Sequence, residues 1–192
     1  MTAPGAGLAP ADEDAGWLPG VRRVPSPNHD ARPDGTVIDL LVIHSISLPP
    51  GQFGGPWIED LFLNRLDPTA HPYFAGIAGL RVSAHLLIRR DGTLIQFVDL
   101  RRRAWHAGES AFQGRSACND FSIGVELEGS DDTPFTQAQY DSLVGVTGQL
   151  MARCPGIRPE RVVGHCDIAP GRKTDPGPYF SWRAYRNRIT AR

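Results

Sequence analysis

The sequence predicts an α/β fold, a single domain in which helices flank a central mixed β-sheet. Three observations predict it. Short apolar runs rich in β-branched residues recur along the chain, as buried strands do. Two segments with strand character, residues 83–90 and 93–98, are joined by Asp91-Gly92, a strong hairpin turn, so part of the sheet is antiparallel. Helical patterns alternate irregularly with the strands, which is typical of a mixed sheet covered by helices.

The chain length fits one domain. Its 192 residues can bury a core without help from a metal or a disulfide. Residues 1–20 are small and polar and predict a flexible N-terminal arm, and residues 21–192 form the predicted domain.

The first half of the domain holds one clear strand and a long irregular segment. Residues 37–44 are mostly apolar and end on a histidine, which predicts a strand buried on both faces. Residues 45–80 are rich in Pro, Gly and aromatic residues, and only 57–65 predicts a helix. An irregular segment of this length inside a compact domain is usually functional, often as a binding loop.

The second half alternates strand and helix. Residues 121–128 alternate apolar and polar side chains, which predicts a half-buried strand. A capping box opens a predicted helix over 136–153, with one apolar face. Residues 161–165 predict a short strand that ends on a second histidine, and 178–192 have a loosely amphipathic helical pattern.

Composition excludes several classes of protein. The chain is 41% hydrophobic and 21% charged, as soluble globular proteins are, and no apolar run approaches the ~18 residues of a membrane span. The net charge of −1 argues against a nucleic-acid or membrane-surface binder. The N-terminus lacks the features of a secretory signal, and three cysteines fit free thiols in a reducing compartment. We therefore expect a cytoplasmic protein, as a monomer.

Two histidines at predicted strand ends are candidate metal ligands. His44 and His165 each close a strand, and strand ends at a sheet edge are where α/β proteins place their sites. The turn-rich segment after His165 can return Asp175 as a third ligand, with Asp167 and Cys166 as rivals. Two imidazoles and a carboxylate suit Zn²⁺. The alternative is a pair of unrelated histidines, one buried and one at the surface.

A carboxylate on the alternating strand is the candidate general base. Glu126 shares its face with Ser122 and Gly124, whose small size leaves room for a ligand above that face. Glu128 lies on the same face and is the rival base. The alternative is that Glu126 is an ordinary solvent-facing side chain.

Four further residues are candidates for binding or catalysis. Lys173 is the single lysine among 20 basic residues, and it lies in the same motif-dense stretch as His165 and Asp175. Trp105 and His106 stand among small residues, a layout suited to stacking on a sugar or acyl chain, although Trp105 could equally be core. Arg81 could bind a carboxylate with both arms of its guanidinium.

Taken together, these motifs resemble the zinc-dependent N-acetylmuramoyl-L-alanine amidases, and among them the cytoplasmic enzymes of peptidoglycan recycling. This family shares its fold with phage-type amidase lysozymes and animal peptidoglycan recognition proteins. The resemblance covers about residues 16–185. The motifs that carry it are Val-Ile-His44-Ser, Arg81-Val-Ser-Ala-His85, Ala-Trp-His106-Ala-Gly, Gly-Val-Glu126-Leu-Glu and Gly-His165-Cys-Asp-Ile-Ala-Pro-Gly-Arg-Lys173-Thr-Asp175-Pro.

The resemblance implies a function and roles for these residues. It implies hydrolysis of the lactyl amide bond between 1,6-anhydro-N-acetylmuramic acid and L-alanine in a muropeptide, with zinc held by His44, His165 and Asp175. It further implies that Glu126 is the general base and that Lys173 stabilises the transition state.

The resemblance also bears on substrate binding. Arg81 matches a residue that contacts the diaminopimelate end of the peptide stem. Ser45 stands where relatives often carry Asn near the muramoyl sugar, and Ala117 stands where relatives can carry a second Arg.

Two other function classes are alternatives. Some members of the superfamily lack the third ligand and only bind muropeptides, but Asp175 and Lys173 are both present here and favour catalysis. A zinc nucleoside deaminase would need His-x-Glu and Pro-Cys-x-x-Cys, and neither motif occurs.

Overall fold

The computed structural model describes residues 14–191. Within this range the strands are, in chain order, β1 (Arg22–Arg23), β2 (His29–Ala31), β3 (Leu40–Ile46), β4 (Leu86–Ile88), β5 (Leu94–Gln96), β6 (Arg102–Ala104), β7 (Ala111–Phe112), β8 (Arg115–Ser116), β9 (Ser122–Glu128) and β10 (Val162–Gly164). The α-helices are α1 (Trp57–Phe62), α2 (Gln137–Arg153), α3 (His165–Ile168) and α4 (Trp182–Thr190). None of the helices in this part of the chain is long and apolar enough to cross a membrane.

A mixed six-stranded sheet forms the centre of the domain. Its strand order is β1-β5-β4-β9-β3-β10. The hairpin β4–β5 is antiparallel, and the other neighbours in the sheet are parallel. Small two-stranded sheets, β2–β6 and β7–β8, lie outside it. The predicted α/β class, mixed sheet and hairpin are confirmed.

The central sheet is buried on both faces, and β3 shows how. Leu41 and Ile43 belong to the cluster that packs against α2 and α4, whereas Leu40 and Val42 belong to a cluster on the other side. Because side chains alternate along a strand, His44 faces the same side as Leu40 and Val42. That side of the sheet carries the candidate site.

Helix α2 begins at the predicted capping box. The Thr136 hydroxyl accepts the Gln139 N–H at 3.1 Å, and the Gln139 side chain accepts the Thr136 N–H at 3.1 Å. The Gln139 amide also donates to the carbonyl of Glu128 at 2.9 Å, so the start of the helix is fixed to the end of β9. The helix in turn covers the face of the sheet opposite His44.

Several predicted boundaries need correction. Strand β3 runs on to Ile46, so His44 lies within the strand rather than at its end. His165 is the first residue of α3 and does not belong to β10. Strand β9 is buried along most of its length rather than half-buried, because it lies between two parallel neighbours. The predicted helices at 57–65 and 178–192 shorten to α1 and α4.

The predicted arm over residues 1–20 lies partly outside the described residues. Its last part is packed on the domain: Leu18 is fully buried in the core. The Gln96 side chain accepts the Leu18 N–H at 2.8 Å and donates to the Gly16 carbonyl at 2.9 Å. These buried bonds hold the chain from Gly16 onward against β5, so this stretch is not a flexible arm.

Candidate metal centre and active site

Three predicted ligands converge at one end of the sheet. His44 projects from β3, His165 from the start of α3, and Asp175 from the loop that follows. The two Nδ1 atoms lie 3.0 Å apart, and Asp175 Oδ2 lies 3.1 Å from each of them. Both histidines are buried. Three donor atoms pointing at one another at this spacing form a group that can hold a metal ion.

Asp175 reaches the histidines because the loop after α3 folds back on itself. The backbone N–H of Cys166 donates to the Asp175 carbonyl at 3.0 Å, which brings the far end of the loop beside His165. The rival ligand Asp167 accepts the Gly164 N–H at 2.7 Å and thereby caps α3. Neither Asp167 nor Cys166 joins the ligand group among the described residues.

The outer nitrogens of the two histidines are also engaged. His165 Nε2 lies 3.1 Å from the Ala107 carbonyl. Since a carbonyl only accepts, Nε2 carries the proton and Nδ1 keeps its lone pair for a metal. His44 Nε2 lies 2.9 Å from Nδ1 of His106. Both ligand histidines therefore present Nδ1 to the centre, and a polar group contacts the Nε2 atom of each.

Burial and charge set the protonation of the ligands. Burial lowers the pKa of His44 to about 4, so the imidazole is neutral near pH 7, the form that binds metals. Burial raises the pKa of Asp175, but its close contacts with the His165 and His44 imidazoles outweigh that effect and hold the pKa below its usual range. A neutral imidazole and an ionised carboxylate fit a divalent cation such as Zn²⁺.

Glu126 lies next to this centre with one unpartnered oxygen. It pairs in register with His44 on the neighbouring strand β3. Its Oε2 atom is buried and has no hydrogen-bond partner among residues 14–191. Burial, and next the Asp175 carboxylate, raise the pKa of Glu126 well above its usual value, while the Lys173 ammonium acts in the opposite direction. A carboxylate with a raised pKa accepts a proton more readily than an ordinary one, which suits a general base.

The ligands and Glu126 line a cavity of about 380 Å³. Ser45, Trp105, His106 and Lys173 line it too, and the predicted irregular segment supplies an apolar wall that includes Leu48, Tyr73, Ile77 and Leu80. A second cavity of about 240 Å³ is lined by Arg81, Asn119 and Arg172, and it shares Trp105, His106, His165 and Lys173 with the first. The cavities meet at the metal centre, so one extended ligand could occupy both.

The predicted binding residues fall into different positions. Ser45 and Trp105 are half-buried at the first cavity, so Trp105 is not simply core. Arg81 is exposed at the second cavity. His106 lines both cavities, but its two ring nitrogens contact His44 and Ser122. His106 is therefore placed to support His44 rather than to contact a sugar.

The rival base Glu128 has a different environment from Glu126. It is 2% exposed, and it accepts hydrogen bonds from the N–H groups of Gly54 at 2.6 Å and Arg90 at 3.2 Å. It also pairs with the Arg89 guanidinium at 3.0 Å. With its oxygens occupied and outside the first cavity's lining, Glu128 is a structural ion-pair residue.

Two further residues, Asn119 and His85, support the site. Asn119 Oδ1 accepts the N–H groups of His106 and Ala107 at 3.1 and 2.8 Å, and so holds the loop that supports both ligand histidines. His85 accepts the Gly124 N–H at 3.0 Å behind this loop. His85 stands out in the sequence without an assigned role, whereas Asn119 was missed because it lies within a short 3-10 turn (Cys118–Asp120) and its partners are 12 and 13 residues away.

Comparisons with known proteins point to one family. The family model for N-acetylmuramoyl-L-alanine amidase matches residues 34–178. The chain is 60% identical to the 1,6-anhydro-N-acetylmuramyl-L-alanine amidase AmpD of Citrobacter freundii, over 92% of this chain and 94% of that protein. A crystal structure of an AmpD selenomethionine derivative, 60% identical, superposes with a TM-score of 0.87 over 93% of this chain and 97% of the other.

A substrate complex is also among the structural neighbours. It is the Escherichia coli amidase AmiD with the substrate anhydro-N-acetylmuramic acid-L-Ala-D-gamma-Glu-L-Lys, which is 31% identical. It superposes with a TM-score of 0.59 over 82% of this chain and 60% of that one. The family match covers most of the chain and the fold agrees, so this chain belongs to the N-acetylmuramoyl-L-alanine amidase family.

Proposed function

We propose that this chain is a zinc-dependent amidase that hydrolyses the bond between 1,6-anhydro-N-acetylmuramic acid and the L-alanine of a muropeptide, in cytoplasmic peptidoglycan recycling. The observation that carries the proposal is the convergence of His44, His165 and Asp175 beside the unpartnered oxygen of Glu126. Relatives named for this activity are 54–60% identical to the chain over the aligned residues, and AmiD, a more distant relative, was solved with an anhydro-muropeptide substrate.

The three ligand residues fit zinc by their chemistry. His44 and His165 would bind it through Nδ1, and Asp175 through Oδ2. When bound, Zn²⁺ polarises the amide carbonyl and lowers the pKa of water toward ~7. The hydrogen bonds behind the two histidines hold their rings in the orientation that this requires.

Glu126 and Lys173 supply the remaining chemistry. The raised pKa of Glu126 suits a carboxylate that takes a proton from the attacking water and then delivers it to the nitrogen of the departing L-alanine. The Lys173 side chain lines both cavities, and its charge acts on Glu126 and His44. We assign it to the negative charge that develops on the amide oxygen.

The cavities suggest how the substrate is held. The apolar wall with Tyr73 and Leu80 suits the anhydro-sugar side, with Ser45 and Trp105 close to the reacting amide. Arg81 in the second cavity suits a carboxylate of the peptide stem. The three cysteines, all free thiols, fit the reducing compartment of this proposal, and a monomeric state stays a prediction.

The test is mass spectrometry of a 1,6-anhydro-muropeptide digest incubated with the protein, with and without a zinc chelator. We expect free stem peptide and 1,6-anhydro-N-acetylmuramic acid in untreated samples, and neither product after chelation. Far-UV circular dichroism should stay native-like after chelation, because the core forms without the metal. Binding of the muropeptide without cleavage would contradict the proposal and favour a recognition module.

A further inference from the structure

A second layer of histidines lies behind the candidate metal centre. His106 Nδ1 is 2.9 Å from Nε2 of His44, and His106 Nε2 is 3.1 Å from the Ser122 hydroxyl. The His44 and His106 rings meet edge-on, with centroids 5.0 Å apart and planes at 85°. A continuous chain of polar contacts therefore leads from the metal-facing side of His44 to β9.

The ring of His106 occupies the space left by a glycine. Gly124 lies on β9 between Ser122 and Glu126, and a Cβ at this position would lie 2.5 Å from Cγ of His106. No other side chain could occupy position 124 without moving the imidazole. The sequence analysis expected this space to admit a ligand, and that expectation is wrong because His106 fills it.

His85 forms hydrogen bonds with both the backbone carbonyl and the backbone N–H of Gly124. The His85 backbone N–H donates to the Gly124 carbonyl at 3.1 Å, and the His85 Nδ1 atom accepts the Gly124 N–H at 3.0 Å. Burial, and next the nearby Arg32 guanidinium, lower the pKa of His85 to about 3, so the ring stays neutral and can accept. The surface on which His106 rests is thus fixed by the sheet.

The direction of the hydrogen bonds follows from the ligand role of His44. If Nδ1 of His44 faces the metal with a lone pair, Nε2 carries the proton and donates to Nδ1 of His106. His106 then carries its own proton on Nε2 and donates to the Ser122 hydroxyl, which can accept. Each ring in the chain is neutral and holds one proton, on the nitrogen farther from the metal.

We propose that His106 is a positioning residue: it accepts the Nε2–H of His44, fixes that ligand in its metal-binding tautomer, and depends on Gly124 for its place. The inference rests on the proposed zinc site. Outer-sphere partners of this kind typically contribute 10–100-fold to metal affinity. The role extends beyond the ligands themselves and assigns a purpose to His106 other than contact with a sugar.

The test is the zinc affinity of the full chain, measured by competition with a chromophoric chelator after removal and return of Zn²⁺. His106→Leu keeps bulk but removes both ring nitrogens, and we expect it to weaken zinc binding by roughly 10–100-fold. His106→Asn keeps an acceptor close to the position of Nδ1, so it should bind zinc more tightly than His106→Leu. Gly124→Ala should weaken zinc binding because the new Cβ displaces the imidazole.

Gly145→Ala is the matched control, since a Cβ at Gly145 in α2 meets nothing within 4 Å. It should leave zinc affinity unchanged. Wild-type zinc affinity for His106→Leu would overturn the inference, and so would equal losses in the Leu and Asn variants. Failure of the wild-type protein to bind zinc would instead contradict the proposed function.

A measurement on the unmodified protein keeps the inference testable if His106→Leu does not fold. Long-range ¹⁵N–¹H spectra of the zinc-loaded protein report which ring nitrogen of each histidine carries the proton. We expect both His44 and His106 to be protonated on Nε2 alone. A proton on Nδ1 of His106 would contradict the proposal, because that nitrogen could then no longer accept from His44.

Discussion

Glu126 and Glu128 lie two residues apart on the same strand and the same face, yet their surroundings differ. Glu128 is closed off by donors from three residues, Gly54, Arg89 and Arg90. Glu126 faces the cavity with a buried oxygen that has no hydrogen-bond partner among the described residues. Residue type, strand and face are the same, so the donors around each carboxylate account for the difference.

An unpartnered buried carboxylate costs stability, whereas a paired one can hold structure together. At Glu128 the neighbouring loop and strand supply the missing hydrogen bonds, and the carboxylate fixes the loop at Gly54 to the sheet. At Glu126 one carboxylate oxygen lacks such bonds, and burial, and next the Asp175 carboxylate, raise the pKa of the group. The comparison teaches that the carboxylate proposed as the base differs from its neighbour by the hydrogen-bond donors that it lacks, and the fold decides where those donors lie.

The largest expected effect is at the unpartnered member of the pair. Glu126→Ala should lower kcat by roughly 10²–10⁴-fold, the range of general acid–base catalysis, with zinc still bound. Turnover of a purified 1,6-anhydro-muropeptide, together with the zinc content of the same sample, measures both. A variant that keeps most of its turnover would show that Glu126 is not the base.

The sequence identifies the candidate metal ligands but misplaces them within the secondary structure. His44 and His165 were chosen as strand ends, although one lies inside β3 and the other opens α3. They meet because parallel strands place adjacent positions side by side, and that pairing survives a boundary error of two residues. The class of fold and the hairpin follow from local patterns that the sequence carries directly.

Other features could not be predicted because they depend on distant contacts. The two glutamates look alike in sequence, and only the loop at Gly54 and the guanidinium of Arg89 separate them. The place of His106 over Gly124 likewise depends on how a loop folds onto β9. Neither hydrophobic periodicity nor motif spacing indicates which distant side chain packs against a glycine.

The next largest effect concerns the cation of the cavity. Lys173→Met keeps the stem and removes the ammonium, so kcat should fall by roughly 10²–10³-fold with KM nearly unchanged. Lys173→Arg should recover only part of the rate, since a planar guanidinium cannot replace a compact charge. An increase in KM with kcat unchanged would assign Lys173 to ground-state binding instead.

Lys173 also permits a chemical version of the same test. It is the only lysine in the sequence, so mild acetylation modifies this side chain and the α-amine alone. Acetylated enzyme should be inactive, and a bound substrate analogue should protect it. Full activity after verified acetylation of Lys173 would remove its charge from the mechanism.

A smaller effect, on stability rather than turnover, is expected at the paired glutamate. Glu128→Ala leaves buried donors without an acceptor, which should lower the free energy of unfolding by about 1–3 kcal/mol. Its kcat should fall far less than that of Glu126→Ala. Urea unfolding and turnover of both variants check the contrast, and a larger kcat loss at Glu128 would reverse the assignment.

The smallest expected effect is a pH dependence of the free energy of unfolding that Glu126 causes. A carboxyl whose pKa is raised in the folded state stabilises that state fully only below its unfolded pKa, and the contribution is lost as the pH rises through the folded value. In the metal-free protein, Glu126 should therefore destabilise the folded state more as the pH rises from mildly acidic to alkaline.

Glu126→Gln does not titrate at this position, so its advantage over wild type in the free energy of urea unfolding should grow between pH 5 and pH 8. Glu109→Gln, at an exposed position, controls for the loss of one negative charge. A difference between Glu126→Gln and wild type that is the same at both pH values would mean that the cavity solvates the Glu126 carboxylate as well as water does, and the contrast with Glu128 would then lie in geometry alone.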